Sequence, residues 1–284
     1  MPIVLGENSY GDSSVRLLRV VRQQGRDDVK EVTFGIRFEG DFEDAHAKGD
    51  NRKILPADTM KNTVYVLARQ YPVEAVEEFC LHLIDHFLTY NPQVSRVRIE
   101  AAETVWARVS HGGKPHASAF TRAGTEKRTA RLDGTREETQ IRAGIDGLMA
   151  LKTTRSAFEK FLRDPYTTLK DDHDRILSTT IRATWLYEGS EIEFGPVWHG
   201  VRQTLLETFI EHESHSLQHT LHAMGQAVLN NFDNIREIHL TLPDRRYTPV
   251  DLSPFGMDNP AEVFSPPVEE PTDLTEARLY RETR

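Results

Sequence analysis

Hydrophobic and polar residues in the first half of the chain change from a period of two to a helical period and back. β-Branched and aromatic residues dominate VRLLRVVR and KEVTFGIRFEG, which predicts strands. Helical spacing follows, with Met60, Val64 and Leu67 on one face, and a second helix should end before Asn91-Pro92. The predicted elements are strands at 15–22 and 30–40, helices at about 58–70 and 74–90, and strands at 94–109, 116–122 and 126–132.

The second half of the chain repeats this order of patterns. TTIRATWLY alternates, with Ile181, Ala183 and Trp185 on one face, and IRAGIDGLMALKTT also favours an extended chain. The repeat predicts strands at 141–154 and 179–187, helices at 197–211 and 214–230, and a strand at 235–242. A duplicated order of this kind predicts an α+β fold of two tandem units, whose antiparallel sheets carry helices on one face. The predicted boundaries are 1–136 for the first unit, 137–265 for the second, and 266–284 for a loose C-terminal extension rich in Pro and Glu.

Charge and cysteine content narrow the classes of partner. A net charge of −9 over 284 residues argues against nucleic acid or an anionic membrane as the main partner, because both attract basic surfaces. No run of apolar residues has the length of a membrane span. The one cysteine, Cys80, lies in an apolar series and is predicted to be a core residue, which suits a reducing cytoplasm. We therefore expect a cytoplasmic protein with a small-molecule ligand.

The start of the first predicted helix carries unusual polar chemistry. In LPADTMKNTVYVLA, Asp58 is the natural N-cap, and Thr59, Lys61 and Asn62 follow in the first turn. Exposed N–H groups and the positive end of the helix dipole would receive an anionic or acceptor-rich ligand there. An ordinary capped helix explains the same residues, so the stretch alone leaves both interpretations open.

Four separated motifs resemble urate oxidase (uricase). They are GDNRKILPADTMKNTVYVLA, FLRDPYTTLKDDHDRILSTTIRATW, SLQHTLHAMG and FGMDNPAEVF, which span almost the whole chain in the family's order. The resemblance implies the tunnelling fold (T-fold), with two antiparallel units per chain that close into barrels when subunits pair. It also implies a homotetramer with sites at subunit interfaces and no metal or organic cofactor. The family uses O2 as co-substrate, oxidising urate to 5-hydroxyisourate with release of peroxide.

The resemblance also implies which residues hold a purine-like ring. The family's ring-binding positions fall here on Phe158, Arg175, Leu217 and Gln218. An aromatic face supplies stacking area, while a guanidinium group and an amide bind one polar edge of the ring. The turn at Ala57 and Asp58, supplied by a neighbouring subunit, would offer N–H groups to the other edge.

The sequence departs from the family at the positions that handle protons. Asp12 stands where the family has lysine after Tyr-Gly, and Ala57 stands where it has threonine. The family's Asn and His after a proline are replaced in LPDRRY by Asp244 and Arg246. An alanine cannot relay a proton, and an arginine is never deprotonated in practice.

Three hypotheses fit these departures. The chain oxidises urate or a related ring by an altered mechanism, with weak ordinary uricase activity. Alternatively, it performs hydration, hydrolysis or tautomerisation with Asp12 and Asp244 as acid and base. The third hypothesis is an inactive homologue that only binds a heterocycle. The candidate catalytic residues are Asp12, Asp244 and Arg246, and the added carboxylates favour a neutral, amino-substituted ring unless Arg175 and Arg246 offset them.

A group of histidines raises the question of a metal. His212, His215, His219 and His222 would lie within one arc if all four stood on the helix predicted at 214–230 and its extension. The alternative is a polar helix face or a subunit contact, and the sequence leaves metal binding undecided.

Overall fold

The computed structural model of the chain describes residues 3–189, 191–260, 262–267 and 273–282. The Cα atoms cluster into two compact units. The first unit comprises residues 1–144 and 189–198, and the second comprises residues 145–188 and 199–284. The domain boundaries expected from the sequence stay a prediction.

The first unit is an antiparallel sheet covered by helices. Its strands are β1 (Tyr10–Gln23), β2 (Arg26–Gly40), β3 (Val94–His111) and β4 (Lys114–Gly134), paired in the order β1-β2-β3-β4. Its helices are α1 (Glu43–Lys48), α2 (Ala57–Gln70) and α3 (Val76–Tyr90). Helix α2 contacts β1, and α3 contacts β3 and β4. The alternating Phe34, Ile36 and Phe38 of β2 are buried in the core beneath these helices, as is Cys80, which confirms the core position predicted for the cysteine.

Strand β4 differs from the sequence prediction. The pattern predicted two short strands at 116–122 and 126–132, whereas the structure has one continuous strand. Register shifts between Thr104 and Trp106, and between Arg108 and Ser110, absorb the irregular pattern without ending the pairing of β3 with β4. The two strands meet at Gly112 and Gly113, whose φ angles of 58° and 76° suit glycine.

The second unit has the same kinds of element. Its strands and helices are β5 (Thr139–Lys152, which begins in the first unit), β6 (Leu177–Tyr187), α4 (Phe194–Glu211, which also begins there), α5 (Leu217–Asn231) and β7 (Ile235–Pro243). Two short strands, β8 (Thr248–Pro249) and β9 (Phe264–Ser265), pair with each other before β10 (Leu274–Tyr280). In each unit two strands are followed by helices and then by strand again, with α1 as an additional short helix in the first unit, and the predicted α+β class is confirmed.

Strand β10 corrects the expectation of a loose extension. Leu274–Tyr280 pairs antiparallel with β7 from Leu274–Pro243 to Tyr280–Glu237, and it contacts α5. Gly225 of α5 allows this contact, because a Cβ atom there would lie 2.9 Å from Leu279 Cδ1. The sequence did not predict this strand because its alternation of hydrophobic and polar residues is weak. In the structure only Thr275 and Leu279 of the strand are partly buried.

Within the part of the chain that the structure describes, no helix has the length and apolar character needed to cross a membrane.

Candidate active site

A cavity of about 300 Å³ in the second unit collects all the predicted site residues of that unit. Its volume lies at the lower end of the range of small-molecule sites. The lining residues are Phe158, Arg175, Leu217, Gln218, Asp244, Arg246, Asp273, Leu274 and Thr275. They come from the segment before β6, the start of α5, the end of β7 and the start of β10.

Backbone hydrogen bonds fix the segment that carries Phe158 and Arg175. The Phe158 N–H donates to Asp172 O at 2.7 Å, and the Asp172 N–H donates back to Phe158 O at 3.0 Å. The Arg175 N–H donates to Ser156 O at 2.6 Å. An irregular segment is thus held to itself by ladder-like pairs, which positions both side chains without a regular strand.

The start of α5 presents Leu217 and Gln218 to the cavity. Ser216 is the N-cap of this helix, and its hydroxyl accepts a hydrogen bond from the His219 N–H at 3.1 Å. Leu217 is buried and gives the cavity an apolar wall, whereas Gln218 is exposed and can offer the oxygen and the NH2 of its amide to a ligand.

Asp244 and two arginines form a chain of ion pairs along one wall. Arg175 Nη1 and Arg246 Nε both donate to Asp244 Oδ2, each at 3.0 Å. Arg246 Nη2 lies 3.3 Å from Asp273 Oδ2. The side chains of Arg175 and Asp244 are only 13% and 7% exposed, so solvent screens their ion pair weakly. The positive charges of Arg175 and Arg246 are therefore matched along this wall by the negative charges of Asp244 and Asp273.

One nitrogen of the Arg175 guanidinium group lacks a hydrogen-bond partner. Its Nε atom is buried and has no hydrogen-bond partner within the described residues. A buried donor without a partner costs free energy, which a ligand acceptor at this position would recover.

Phe158 already uses one face of its ring. It stacks on Phe161 with ring centroids 5.1 Å apart and an angle of 11° between the planes. The Arg175 guanidinium lies 5.7 Å from the centroid of the Phe158 ring. A planar ligand would extend an existing stack of flat groups.

The first unit holds the remaining predicted residues, Asp12, Ala57 and Asp58. Asp12 lies on β1 where the pairing with β2 shifts register, and its Oδ1 accepts from the Ser14 N–H at 2.9 Å. Gly11 precedes it because a Cβ atom there would lie 1.8 Å from Ile36 O. Asp12 also contributes, as a minor cause, to a raised pKa of Lys61, which is due first to the hydrogen bond from Lys61 to Asp58.

The predicted N-cap role of Asp58 is wrong. Pro56 occupies the N-cap position of α2, and its carbonyl accepts from the N–H groups of Thr59 and Met60 at 2.9 and 3.1 Å. Asp58 is therefore inside the first turn, where its carboxylate bonds Lys61 Nζ at 2.5 Å and Asn62 Nδ2 at 3.1 Å. The hydrogen bond and charge of Lys61 lower the pKa of Asp58.

The four histidines do not share one helix. α4 ends at Glu211 and α5 begins at Leu217, so His212 and His215 lie in the connection while His219 and His222 lie on α5. The Ser216 hydroxyl caps the N-terminus of α5, so the helix begins after His215. Among the residues described, no three or more His, Cys, Asp or Glu side chains are placed to hold a metal ion.

Three cavity residues were not predicted from the sequence. Asp273, Leu274 and Thr275 belong to the segment expected to be loose, and only the pairing of β10 with β7 brings them to the cavity. The available signal was the weak alternation in LTEARLY, which is too short to distinguish a strand from a loop.

Comparison with known proteins relates the whole chain to one family. The Uricase family model matches residues 8–133 and 141–275. Uricase of Arthrobacter globiformis is 42% identical over 280 residues, covering 99% of this chain and 91% of that protein. Uricase of Aspergillus flavus is 35% identical over 273 residues, covering 90% of each.

Solved structures agree with these sequence matches. The crystal structure of uricase from Arthrobacter globiformis superposes with a TM-score of 0.93 at 41% identity, covering 100% of this chain and 97% of that one. A hyperthermostable mutant of Bacillus sp. TB-90 urate oxidase superposes with a TM-score of 0.84 at 21% identity, covering 96% and 99%, and supports the fold alone. The tandem T-fold expected from the sequence is confirmed.

Proposed function

Because this chain belongs to the uricase family, we propose that it binds urate or a related purine-like N-heterocycle in the second-unit cavity and oxidises it with O2. The family match supports an oxidoreductase of the urate oxidase type, whose chemistry uses O2 as co-substrate and needs no metal or organic cofactor. In such a reaction two electrons pass from the ring to O2. Water supplies the new hydroxyl group, and O2 leaves as hydrogen peroxide.

The cavity supports the proposed binding of a flat ring. Phe158 and Leu217 offer apolar surface, and Arg175 and Gln218 offer donors at one side. The buried Nε of Arg175 still needs an acceptor, which a ring carbonyl or ring nitrogen supplies. We also propose that the turn at Ala57 and Asp58 of a second subunit closes the site.

The single observation that carries the proposal of an altered mechanism is the bonding of Asp244 to both Arg175 and Arg246. Arg246 cannot accept a proton, whereas a carboxylate can, so we assign proton transfer at this wall to Asp244. Arg246 then holds the Asp244 carboxylate in place, and Asp12 of a second subunit is the other candidate acid or base. A positioned proton-transfer group contributes about 10²- to 10⁴-fold to rate, and we therefore expect ordinary uricase turnover to be weak.

A turnover assay under O2 and under argon tests this function. An oxidase consumes O2 and forms peroxide, and mass analysis of the product shows one added oxygen atom. A hydrolase or hydratase works in both gases, and an inactive binding protein works in neither. Turnover that persists at full rate under argon contradicts the oxidase proposal. Replacing Arg175 with alanine should abolish ring binding, and unchanged affinity would remove this residue from the proposed site.

Restoring the family's residues tests the altered mechanism. The combination Asp12→Lys, Ala57→Thr, Asp244→Asn and Arg246→His should raise urate turnover about 10²-fold or more, because it replaces the missing proton-transfer groups. Asp85→Lys, an exposed position on α3, is the control for the charge change of Asp12→Lys. Robust urate turnover by the unmodified protein at ordinary enzyme rates would show that other residues move the proton.

A further inference from the structure

The two oxygens of the Asp244 carboxylate differ, because one accepts hydrogen bonds from arginines and the other can accept from a ligand. Oδ2 accepts hydrogen bonds from Arg175 Nη1 and Arg246 Nε, each at 3.0 Å. Within the described residues, no donor bonds Oδ1, although Asp244 lines the cavity and its side chain is only 7% exposed. A carboxylate oxygen is an acceptor only, so this corner of the cavity demands a donor from the ligand.

The ion-pair chain also removes the attraction for an anion. Arg175 and Arg246 carry two positive charges, and Asp244 and Asp273 carry two negative charges within the same set of contacts. The four side chains sum to zero, so an anionic ring gains little from this wall. Binding of a neutral ring does not depend on this attraction, so the zero charge sum does not weaken it.

From these contacts we infer that Asp244 selects a neutral purine-type ring that carries an exocyclic amino group, in preference to the urate anion. The inference rests on the proposed function, since it assigns a ligand class to the same cavity. The amino group donates to Asp244 Oδ1, while Arg175 Nε donates to a neighbouring ring acceptor. A carbonyl oxygen in place of the amino group would bring two acceptors into contact and leave Oδ1 without a donor.

Two pairs of rings test the amino group. 8-Oxoguanine carries an amino group where urate carries a carbonyl oxygen, and the two also differ in charge because urate is an anion. Guanine and xanthine carry the same exchange, and below neutral pH both are neutral, so this pair tests the exchange, which includes the proton on the adjacent ring nitrogen, apart from charge. Calorimetry under argon measures binding without turnover. We expect the unmodified protein to bind 8-oxoguanine at least about tenfold more tightly than urate, and guanine more tightly than xanthine.

Replacing the carboxylate with an amide tests the residue itself. Asp244→Asn keeps the shape, adds a donor and leaves the wall with a net positive charge, so the ratio of the two affinities should fall at least about tenfold in favour of urate. Asp146→Asn is the matched control. Asp146 also accepts from an arginine, Arg182 Nε at 2.9 Å, but it lies outside the cavity, and the ratio should not change.

The outcomes separate this inference from the proposed function. Tighter binding of urate by the unmodified protein, or an unchanged ratio in Asp244→Asn, overturns the selectivity. If the variant fails to fold, the ratio in the unmodified protein decides alone. Preferred binding of 8-oxoguanine without O2 consumption supports the selectivity and contradicts the oxidase, whereas preferred binding and oxidation of urate does the reverse. Binding of none of the four rings overturns both.

Discussion

At the scale of single residues, the guanidinium group of Arg175 contacts two neighbours and keeps one donor without a partner. It donates to Asp244 through Nη1, it lies over the ring of Phe158, and its Nε is buried without a partner in the described chain. A flat group with donors at fixed angles can meet all three demands, whereas a lysine ammonium could not. The residue therefore links the charged wall of the cavity to its aromatic floor.

His212 gives the unfolding free energy a predictable pH dependence. Burial lowers the pKa of His212, and the nearby charges of His219, Lys152, His215 and Arg155 lower it further. The unfolded chain then takes up this proton near its ordinary pKa of about 6.5, before the folded chain does. The contribution of His212 to the free energy of unfolding is fully present above about pH 6.5, and it is lost as the pH falls from there through the lower pKa of the folded chain.

The variant His212→Gln removes this proton uptake. Its unfolding free energy, measured by urea titration, should fall less than that of the unmodified protein between about pH 7 and pH 5. His111→Gln, at the exposed tip of the β3–β4 hairpin, is the control and should follow the unmodified profile. Parallel profiles for His212→Gln and the unmodified protein would contradict the assignment.

The sequence could identify individual cavity residues but not their pairings. Phe158, Arg175, Leu217 and Gln218 were predicted from motifs and line one cavity. Asp244 was predicted as an acid or base, but its bond to Arg175 joins residues 69 positions apart in the chain. Only tertiary structure brings such groups together, so the neutral charge sum of the wall could not be predicted.

At the scale of secondary-structure elements, a buried ion pair joins helix α3 to strand β4. Arg128 Nη2 lies 2.5 Å from Glu77 Oε2, and their side chains are 4% and 0% exposed. The Arg128 guanidinium also lies 5.3 Å from the centroid of the Trp198 ring. Burial raises the pKa of Glu77, and Arg128 opposes that rise. The pair fixes the helix on the sheet through two groups that are costly to bury singly.

Replacing one residue of this ion pair should lower the free energy of unfolding more than replacing both. Either Glu77→Leu or Arg128→Met leaves a buried charge without its partner and should lower the unfolding free energy by about 3–5 kcal/mol. The double variant, measured by the same urea titration, should cost far less than the sum of the two. Asp44→Ala, which breaks the exposed pair with Lys48 on α1, should have little effect. Additive losses in the double variant would contradict this account.

The long elements could be predicted from periodicity, and the exceptions have local causes. The helix predicted at about 58–70 is α2 at Ala57–Gln70, and the strand predicted at 179–187 is β6 at Leu177–Tyr187. The helix predicted at 214–230 begins later, at Leu217, because the Ser216 side chain caps it. Strand β10 was missed because its stability comes from pairing with β7 and not from its own pattern.

At the scale of the whole molecule, exposed sheet surface favours assembly of the chain with other chains. Among the described strands, β1 and β10 each pair on one side only. Leu18 on β1 is 61% exposed, and Met149 on β5 is 53% exposed. Long edges and apolar sheet residues of this kind are normally covered by another chain. We therefore propose a homotetramer, in agreement with the expectation from the sequence.

Charges on the β1 edge should disrupt this assembly. The unmodified protein should sediment as four chains at micromolar concentration, and Leu18→Lys with Val20→Lys should shift it to smaller species, because charged side chains oppose pairing at a sheet edge. Asp85→Lys, at an exposed position of α3, changes the charge by the same amount and should leave the tetramer intact. A monomer in the unmodified protein would contradict the proposal.

Strand β10 has a consequence for the order of events on the ribosome. Asp273, Leu274 and Thr275 line the cavity, yet they are synthesised after every other residue of its wall. A nascent chain can fold its first unit early, because domains fold as they emerge. The cavity, by contrast, stays open on one side until β10 has emerged and paired with β7. A ligand of this cavity therefore first meets all of its walls only after that strand has been made.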